Sequence, residues 1–262
     1  MNTSESSITE RVLLPSAVRP VHYTLELHPD LTSFKFDGNE KIDLVVHSST
    51  DKIVIHAKDL IIKGFANYKS ADGTCFESCE TSYNSKLSTV SFTFESVLPL
   101  GSGVLSISFE GELNNKMVGF YRSKYYDVDG SEMYMATTQF EPLDARRCFP
   151  CYDEPAAKSS FSITLVVPSN LCALSNMPEI SSSYIAGGLK RVIFDKTPIM
   201  STYLVAFCVG KFDCLSTVSA HGVSIRVYTP PGLSQKGEFA LRVGKASLDY
   251  YDDYFQSKFL IR

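Results

Sequence analysis

Period-two alternation of apolar and polar residues, repeated along most of the chain, is the feature that most narrows what this sequence can fold into. Val21, Tyr23, Leu25 and Leu27 alternate with His22, Thr24 and Glu26. A strand with one buried face needs that arrangement, because successive side chains point to opposite faces. The alternation recurs at Ile42/Leu44/Val46, Ile53/Ile55, Val90/Phe92/Phe94, Leu105/Ile107/Phe109, Phe161/Ile163/Leu165/Val167, Tyr203/Val205/Phe207/Val209 and Val223/Ile225/Val227. Turn formers stand between these runs: Asp37-Gly38-Asn39, Asp72-Gly73, Gly101-Ser102-Gly103, Asp129-Gly130 and Gly187-Gly188. Residues 11 to about 228 therefore read as all-β, in mainly antiparallel sheets with one wetted face.

After Thr229-Pro230-Pro231-Gly232 the period changes. Phe239, Val243, Ala246, Tyr250 and Tyr254 follow at spacings of three and four, which predicts one apolar face of a helix. Ser234 is the expected N-cap, with Pro-Pro-Gly before it as the breaker. Tyr250 and Tyr254 belong to the apolar face, and Asp252 and Asp253 to the wet one. The closing Phe259-Leu260-Ile261-Arg262 is apolar and has neither a capping glycine nor a polar tail, so it reads as a boundary inside a longer protein.

The 262 residues are 44% hydrophobic, enough for one large core or two small ones. A net charge of −4 and no basic stripe exclude a nucleic-acid partner, since phosphate neutralisation requires concentrated Lys and Arg. Met1 to Glu10 is polar, lacks the basic and apolar regions of a secretory signal, and is expected to be a disordered tail. No run of about 18 apolar residues offers a membrane span. Seven cysteines, an odd count at irregular spacing, do not resemble a disulfide framework and fit reduced thiols in a cytoplasmic protein.

The densest stretch of chemistry runs from Thr137 to Pro155, through Gln139-Phe140-Glu141-Pro142, Asp144-Ala145-Arg146-Arg147 and Phe149-Pro150-Cys151-Tyr152-Asp153-Glu154. Four acids, two arginines and two interior prolines follow the strand-like Met133 to Ala136. From the residues alone two readings stay open: a solvated loop with internal ion pairs, or a site in which Gln139 and Glu141 bind and orient a cationic amine. Two apart, these side chains share a face if the strand continues that far.

This stretch resembles the signature loop of the aminopeptidase N / puromycin-sensitive aminopeptidase family of zinc peptidases, in the gluzincin clan. Further segments resemble the family in order and spacing: Pro20 to Leu27 with Pro29-Asp30-Leu31 and Phe36-Asp37-Gly38, then Gly119-Phe120-Tyr121-Arg122-Ser123, Thr197 to Phe207, and Arg226-Val227-Tyr228-Thr229-Pro230. The resemblance covers residues 15 to 262. It implies a saddle-shaped, mainly antiparallel β-domain over 11–214, followed over 215–262 by the opening strands and first helix of a thermolysin-like catalytic domain. It further implies that Glu141 takes the free α-ammonium of a peptide substrate and Gln139 lines the first specificity pocket. The activity implied is removal of single N-terminal residues by a zinc-polarised water, with the catalytic domain as partner in cis.

The catalytic parts themselves are not in this sequence. A catalytic zinc takes typically three protein ligands, commonly from H-E-x-x-H plus a downstream carboxylate. His22, His28, His47, His56 and His221 have no histidine at i+3 or i+4, and no His-Glu dipeptide occurs. The family's Gly-Ala-Met-Glu-Asn segment, with a second amine-binding glutamate, is expected beyond Arg262. No catalytic residue and no metal ligand is therefore expected in this chain, which is expected to be inactive alone; zinc belongs to the longer parent. Cys148-x-x-Cys151 with Cys75-x-x-x-Cys79 could form a zinc site or a redox couple, but no βαβ setting surrounds the first pair. The alternative reading of the whole is a non-catalytic β-sandwich interaction module descended from an aminopeptidase. A related epoxide hydrolase branch departs from the Phe-Glu-Pro and Phe-Pro-Cys-x-Asp-Glu-Pro wording.

Overall fold

A computed structural model describes residues 13–259, so the polar tail expected over 1–10 and the last three residues lie outside the described residues. The strands, in chain order, are β1 (Val18–Asp30), β2 (Lys35–Val46), β3 (Lys52–His56), β4 (Leu60–Ser70), β5 (Cys75–Asn84), β6 (Thr89–Phe94), β7 (Gly101–Glu112), β8 (Gly119–Tyr126) and β9 (Glu132–Gln139). They continue with β10 (Ser160–Pro168), β11 (Cys172–Ser175), β12 (Glu179–Ile185), β13 (Leu189–Phe194), β14 (Phe207–Gly210), β15 (Asp213–Val218) and β16 (Ser224–Thr229), and one helix follows, α1 (Glu238–Tyr254).

Ten strands form one sheet in the order β12-β13-β10-β1-β2-β7-β4-β5-β6-β3, four form another in the order β11-β14-β9-β8, and β15 pairs with β16. The fold is thus mainly antiparallel β followed by a hairpin and a helix. Among the described strands β1 and β10 pair in parallel, with Tyr23 opposite Phe161 and their rings stacked at 4.9 Å. Aromatic rings also join the sheets. Phe36 of β2 meets Phe120 of β8 across the sheets at 5.2 Å, and within the four-stranded sheet Phe120 meets Phe207 of β14 at 5.0 Å, each edge to face.

Most alternating runs fold as the period predicts, and the departures have local causes. Val21 is 51% exposed although its neighbours in the pattern, Tyr23, Leu25 and Leu27, are buried. The β1–β2 register slips between Pro20 and His22, and this bulge turns Val21 outward. Asp37-Gly38-Asn39 and Gly101-Ser102-Gly103 are not turns but lie inside β2 and β7. Their glycines make room for rings: a Cβ at Gly38 would stand 2.2 Å from Phe109 Cζ, and one at Gly103 2.2 Å from the Tyr68 hydroxyl. Tyr203 falls in a 3-10 turn, Thr202–Leu204, and β14 begins only at Phe207.

The helix departs most from expectation. Ser234 is not its N-cap, because a 3-10 turn over Ser234–Gly237 intervenes and Gly237 occupies the cap. Phe239, Val243, Tyr250 and Tyr254 are all exposed, whereas Asp252 is buried. Polar anchors set this orientation. Asp249 Oδ1 accepts the Ala220 N–H at 2.8 Å, and Lys245 Nζ donates to the Val218 carbonyl at 2.8 Å, so the Lys245–Asp249–Asp252 side faces the β15–β16 hairpin.

Within β2 the inward position between Gly38 and Ile42 is held by a carboxylate, Glu40, opposite Leu25 of β1 and Ile107 of β7. It is buried, and among the described residues neither carboxylate oxygen has a hydrogen-bond partner. Burial pushes the Glu40 carboxyl well above its ordinary 4.5. The folded protein therefore keeps a proton that the unfolded chain loses above that value. Stability attached to Glu40 is fully present below pH 4.5 and falls as pH rises, by about 1.4 kcal/mol per unit until the folded carboxyl ionises. Glu40→Leu is expected to raise stability at pH 7 by roughly 1–3 kcal/mol and to flatten this decline, as read from urea denaturation across pH. A destabilised variant with an unchanged pH slope would show that Glu40 has a partner in solution.

Candidate functional site

The Gln139–Pro155 stretch leaves the end of β9 in the four-stranded sheet and runs to a bridge between Cys151 and His56 of β3 in the ten-stranded sheet. Gln139 is the last residue of β9 and pairs with Gly119 of β8. Phe140 turns inward, with its ring 6.1 Å from those of Phe149 and Phe207. Gln139 and Glu141 on either side of it are exposed, so the alternation runs one step past the regular strand and sends both side chains outward. A tight turn follows, in which the Asp144 N–H donates to the Phe140 carbonyl at 2.9 Å. Glu141, Pro142 and Leu143 form its exposed tip, and among the described residues neither the Gln139 nor the Glu141 side chain is tied up in a hydrogen bond or ion pair.

The two adjacent arginines then divide. Arg146 points into the core: its Nε donates to Asp153 Oδ2 at 2.8 Å and its Nη2 to the Asp153 carbonyl at 3.0 Å. The Arg146 and Asp153 side chains are only 10% and 2% exposed. Asp153 Oδ1 accepts the Thr202 hydroxyl at 2.6 Å, so both carboxylate oxygens are satisfied. Arg147 stays at the rim, where its Nε donates to Asp144 Oδ1 at 2.7 Å and its Nη1 reaches Asp59 Oδ2.

Between the arginine pair and Asp153 the backbone is stitched to β3. Cys151 and His56 exchange two hydrogen bonds, at 2.8 and 2.9 Å, and the Tyr152 N–H donates to the Tyr23 hydroxyl at 3.1 Å. The Asp153 N–H donates to Nδ1 of the buried His56 at 3.2 Å. Burial, and secondarily the Arg146 charge, lower the His56 pKa from 6.5 to about 4. Cys148 and Cys151 are buried, and burial pushes both thiols up, which disfavours the reactive thiolate form.

Sequence reasoning finds Gln139, Glu141 and both arginines because they stand in one short run. It misses His56, Asp59 and Thr202, which are 97, 88 and 49 residues from the loop partners they meet. The histidines do not converge. His22 meets Ser160 at 2.9 Å, His28 meets Glu26 at 2.9 Å, and His221 faces Asp252 at 3.9 Å. Among the described residues no three His, Cys, Asp or Glu side chains form a donor set for a metal.

A sheet-rich domain whose polar loop is locked between two sheets, with a separate hairpin and helix after it, is the class of protein that the fold and the site define. The sequence profile of the Peptidase M1 N-terminal domain matches residues 19–204, and the chain belongs to that family. It is 44% identical over 250 residues to "Aminopeptidase M1-C" of Oryza sativa subsp. japonica, covering 94% of this chain and 27% of that protein. It is 40% identical over 247 residues to "Puromycin-sensitive aminopeptidase" of Caenorhabditis elegans, covering 94% of this chain and 26% of that protein. Against "Aminopeptidase M1" of Arabidopsis thaliana it is 45% identical over 248 residues, covering 92% and 28%. The chain thus spans about a quarter of the length of the curated relatives it matches.

Two outcomes follow for the loop's base. Arg146→Ala leaves Asp153 charged and buried, and is expected to lower stability by about 3–5 kcal/mol, with Arg146→Met/Asp153→Leu recovering most of the loss. Urea denaturation of the chain checks this, and an additive double variant would contradict it. For His56, the unfolded chain takes up a proton below pH 6.5 that the folded protein refuses until about 4, so stability drops as pH falls through that window. His56→Asn is expected to reduce that acid loss in the same measurement.

Proposed function

We propose that this chain is the N-terminal part of a zinc-dependent aminopeptidase and that it supplies the groups anchoring the free N-terminus of a peptide substrate. Glu141 pairs with the α-ammonium, and Gln139 lines the first side-chain pocket. The observation that carries this reading is the pair of exposed side chains flanking the buried Phe140, on a base locked by Arg146 and Asp153. The names of the relatives, all aminopeptidases, support the same reaction class.

An exposed carboxylate alone binds an amine poorly, because water screens the pair. The anchor becomes effective once a second domain covers it and lowers the local dielectric, which also fixes the chain end so that only the first peptide bond meets the catalytic centre. The β15–β16 hairpin and α1 are the start of that domain in this reading. The division expected at 214/215 falls inside β15, so we place it in the two residues between β14 and β15. Among the described residues no donor set fits zinc, and in this reading the metal belongs to the remainder of the protein, which we assign to the cytoplasm.

The isolated 262-residue chain is expected to release no product from an aminoacyl fluorogenic substrate. In the full-length protein, Glu141→Gln is expected to raise KM and lower kcat/KM by roughly 10–100-fold while leaving the zinc content unchanged. Wild-type kinetics in that variant would remove Glu141 from the site.

A further inference from the structure

Arg147 touches Asp144, which follows the exposed Gln139–Leu143 segment, and Gly119, the strand partner of Gln139, and the proposed anchoring chemistry does not use it. On one side its Nε holds Asp144 Oδ1 at 2.7 Å, and the Asp144 N–H closes the turn onto the Phe140 carbonyl at 2.9 Å, with Glu141 at the tip. On the other side lies Gly119, the β8 residue paired with Gln139. A Cβ at Gly119 would stand 2.7 Å from the Arg147 Cβ, so the β8 backbone rests directly on this side chain. The far end of the guanidinium is fixed by Asp59, in the connection between β3 and β4. Asp59 adopts a left-handed φ of 57°, a conformation that Asn and Asp tolerate better than other non-glycine residues.

We propose that Arg147, clamped between Asp144 and Asp59, is a positioning residue that fixes Glu141 and Gln139 relative to each other for substrate anchoring. This inference rests on the reading of Glu141 and Gln139 given above. The clamp suits the task because a guanidinium offers several donors in one rigid plane, so it can hold two carboxylates at once and define an angle between them. The side chains of Arg147 and Asp144 are 22% and 19% exposed, and that of Asp59 is 67% exposed. Ion pairs this close to water add little to global stability. Their effect is confined to geometry, where a displacement of about 1 Å at an anchoring group costs far more than the pair is worth thermodynamically.

The test has two readouts. In the 262-residue chain, Arg147→Ala is expected to speed hydrogen exchange at the Asp144 amide at least tenfold while exchange in β10 stays unchanged, because only the turn is released. Unchanged exchange at Asp144 overturns the clamp. In the full-length protein, Arg147→Ala and Asp59→Asn are each expected to raise KM for a free-amine peptide roughly fivefold, with kcat less affected, and Arg147→Lys to recover part of the loss. In the Glu141→Gln background Arg147→Ala is expected to cost nothing further, since it acts through Glu141. A full additional loss there makes Arg147 a merely structural residue. If Glu141→Gln raises KM and Arg147→Ala does not, the positioning role fails and the anchoring role stands; if neither has an effect, the anchoring role fails.

Discussion

A guanidinium and a carboxylate that share almost no water, Arg146 and Asp153, are the interaction on which the rest of the loop depends. Two buried charges are tolerated only when each is paired and its remaining hydrogen-bonding capacity is used. Here Arg146 also holds the Asp153 carbonyl, and Thr202 takes the second carboxylate oxygen. That arrangement ties the 3-10 turn at Ala145–Arg147, the chain after Cys151 and the turn before β14 into one unit. The exposed tip at Glu141 is short because its base is held at both ends.

Aromatic packing performs the complementary task of joining this unit to the sheets. Phe149 meets Tyr23 at 6.0 Å and Phe161 at 6.3 Å, which seats the loop on the parallel β1–β10 pair. Phe140 and Phe207 extend the contact to the four-stranded sheet. The loop is thus a wedge with an apolar inner side and a polar outer one, and its adjacent arginines follow the same division, Arg146 inward and Arg147 at the rim. A site built in this way keeps its outward groups in place without being covered by its own domain.

Most of the sheet was legible in the sequence because a half-buried strand imposes a two-residue period, which β2, β6 and β7 obey and β10 follows until Val166, which is buried as well. What escaped depends on partners distant along the chain. Gly38 and Gly103 carry the same local signal as a turn, and only the rings of Phe109 and Tyr68 reveal why they lie within strands. The helical period was read correctly; its aromatic stripe is exposed, while the side carrying Lys245 and Asp249 grips the hairpin turn and the buried Asp252 departs from the expected wet face. In the loop, the motif singled out Gln139 and Glu141, which lie exposed on either side of the buried Phe140. The supports from Asp59, His56 and Thr202 have no local signature.

The central claim is that Glu141 recognises a positively charged amine. Two competitive inhibitors of the full-length protein that differ only by the α-amino group test this most directly, each measured with Glu141 intact and with Glu141→Gln. The account predicts that the wild-type protein favours the amine-bearing inhibitor by roughly tenfold or more and that most of this preference disappears in the variant. Equal preference in both proteins would contradict it.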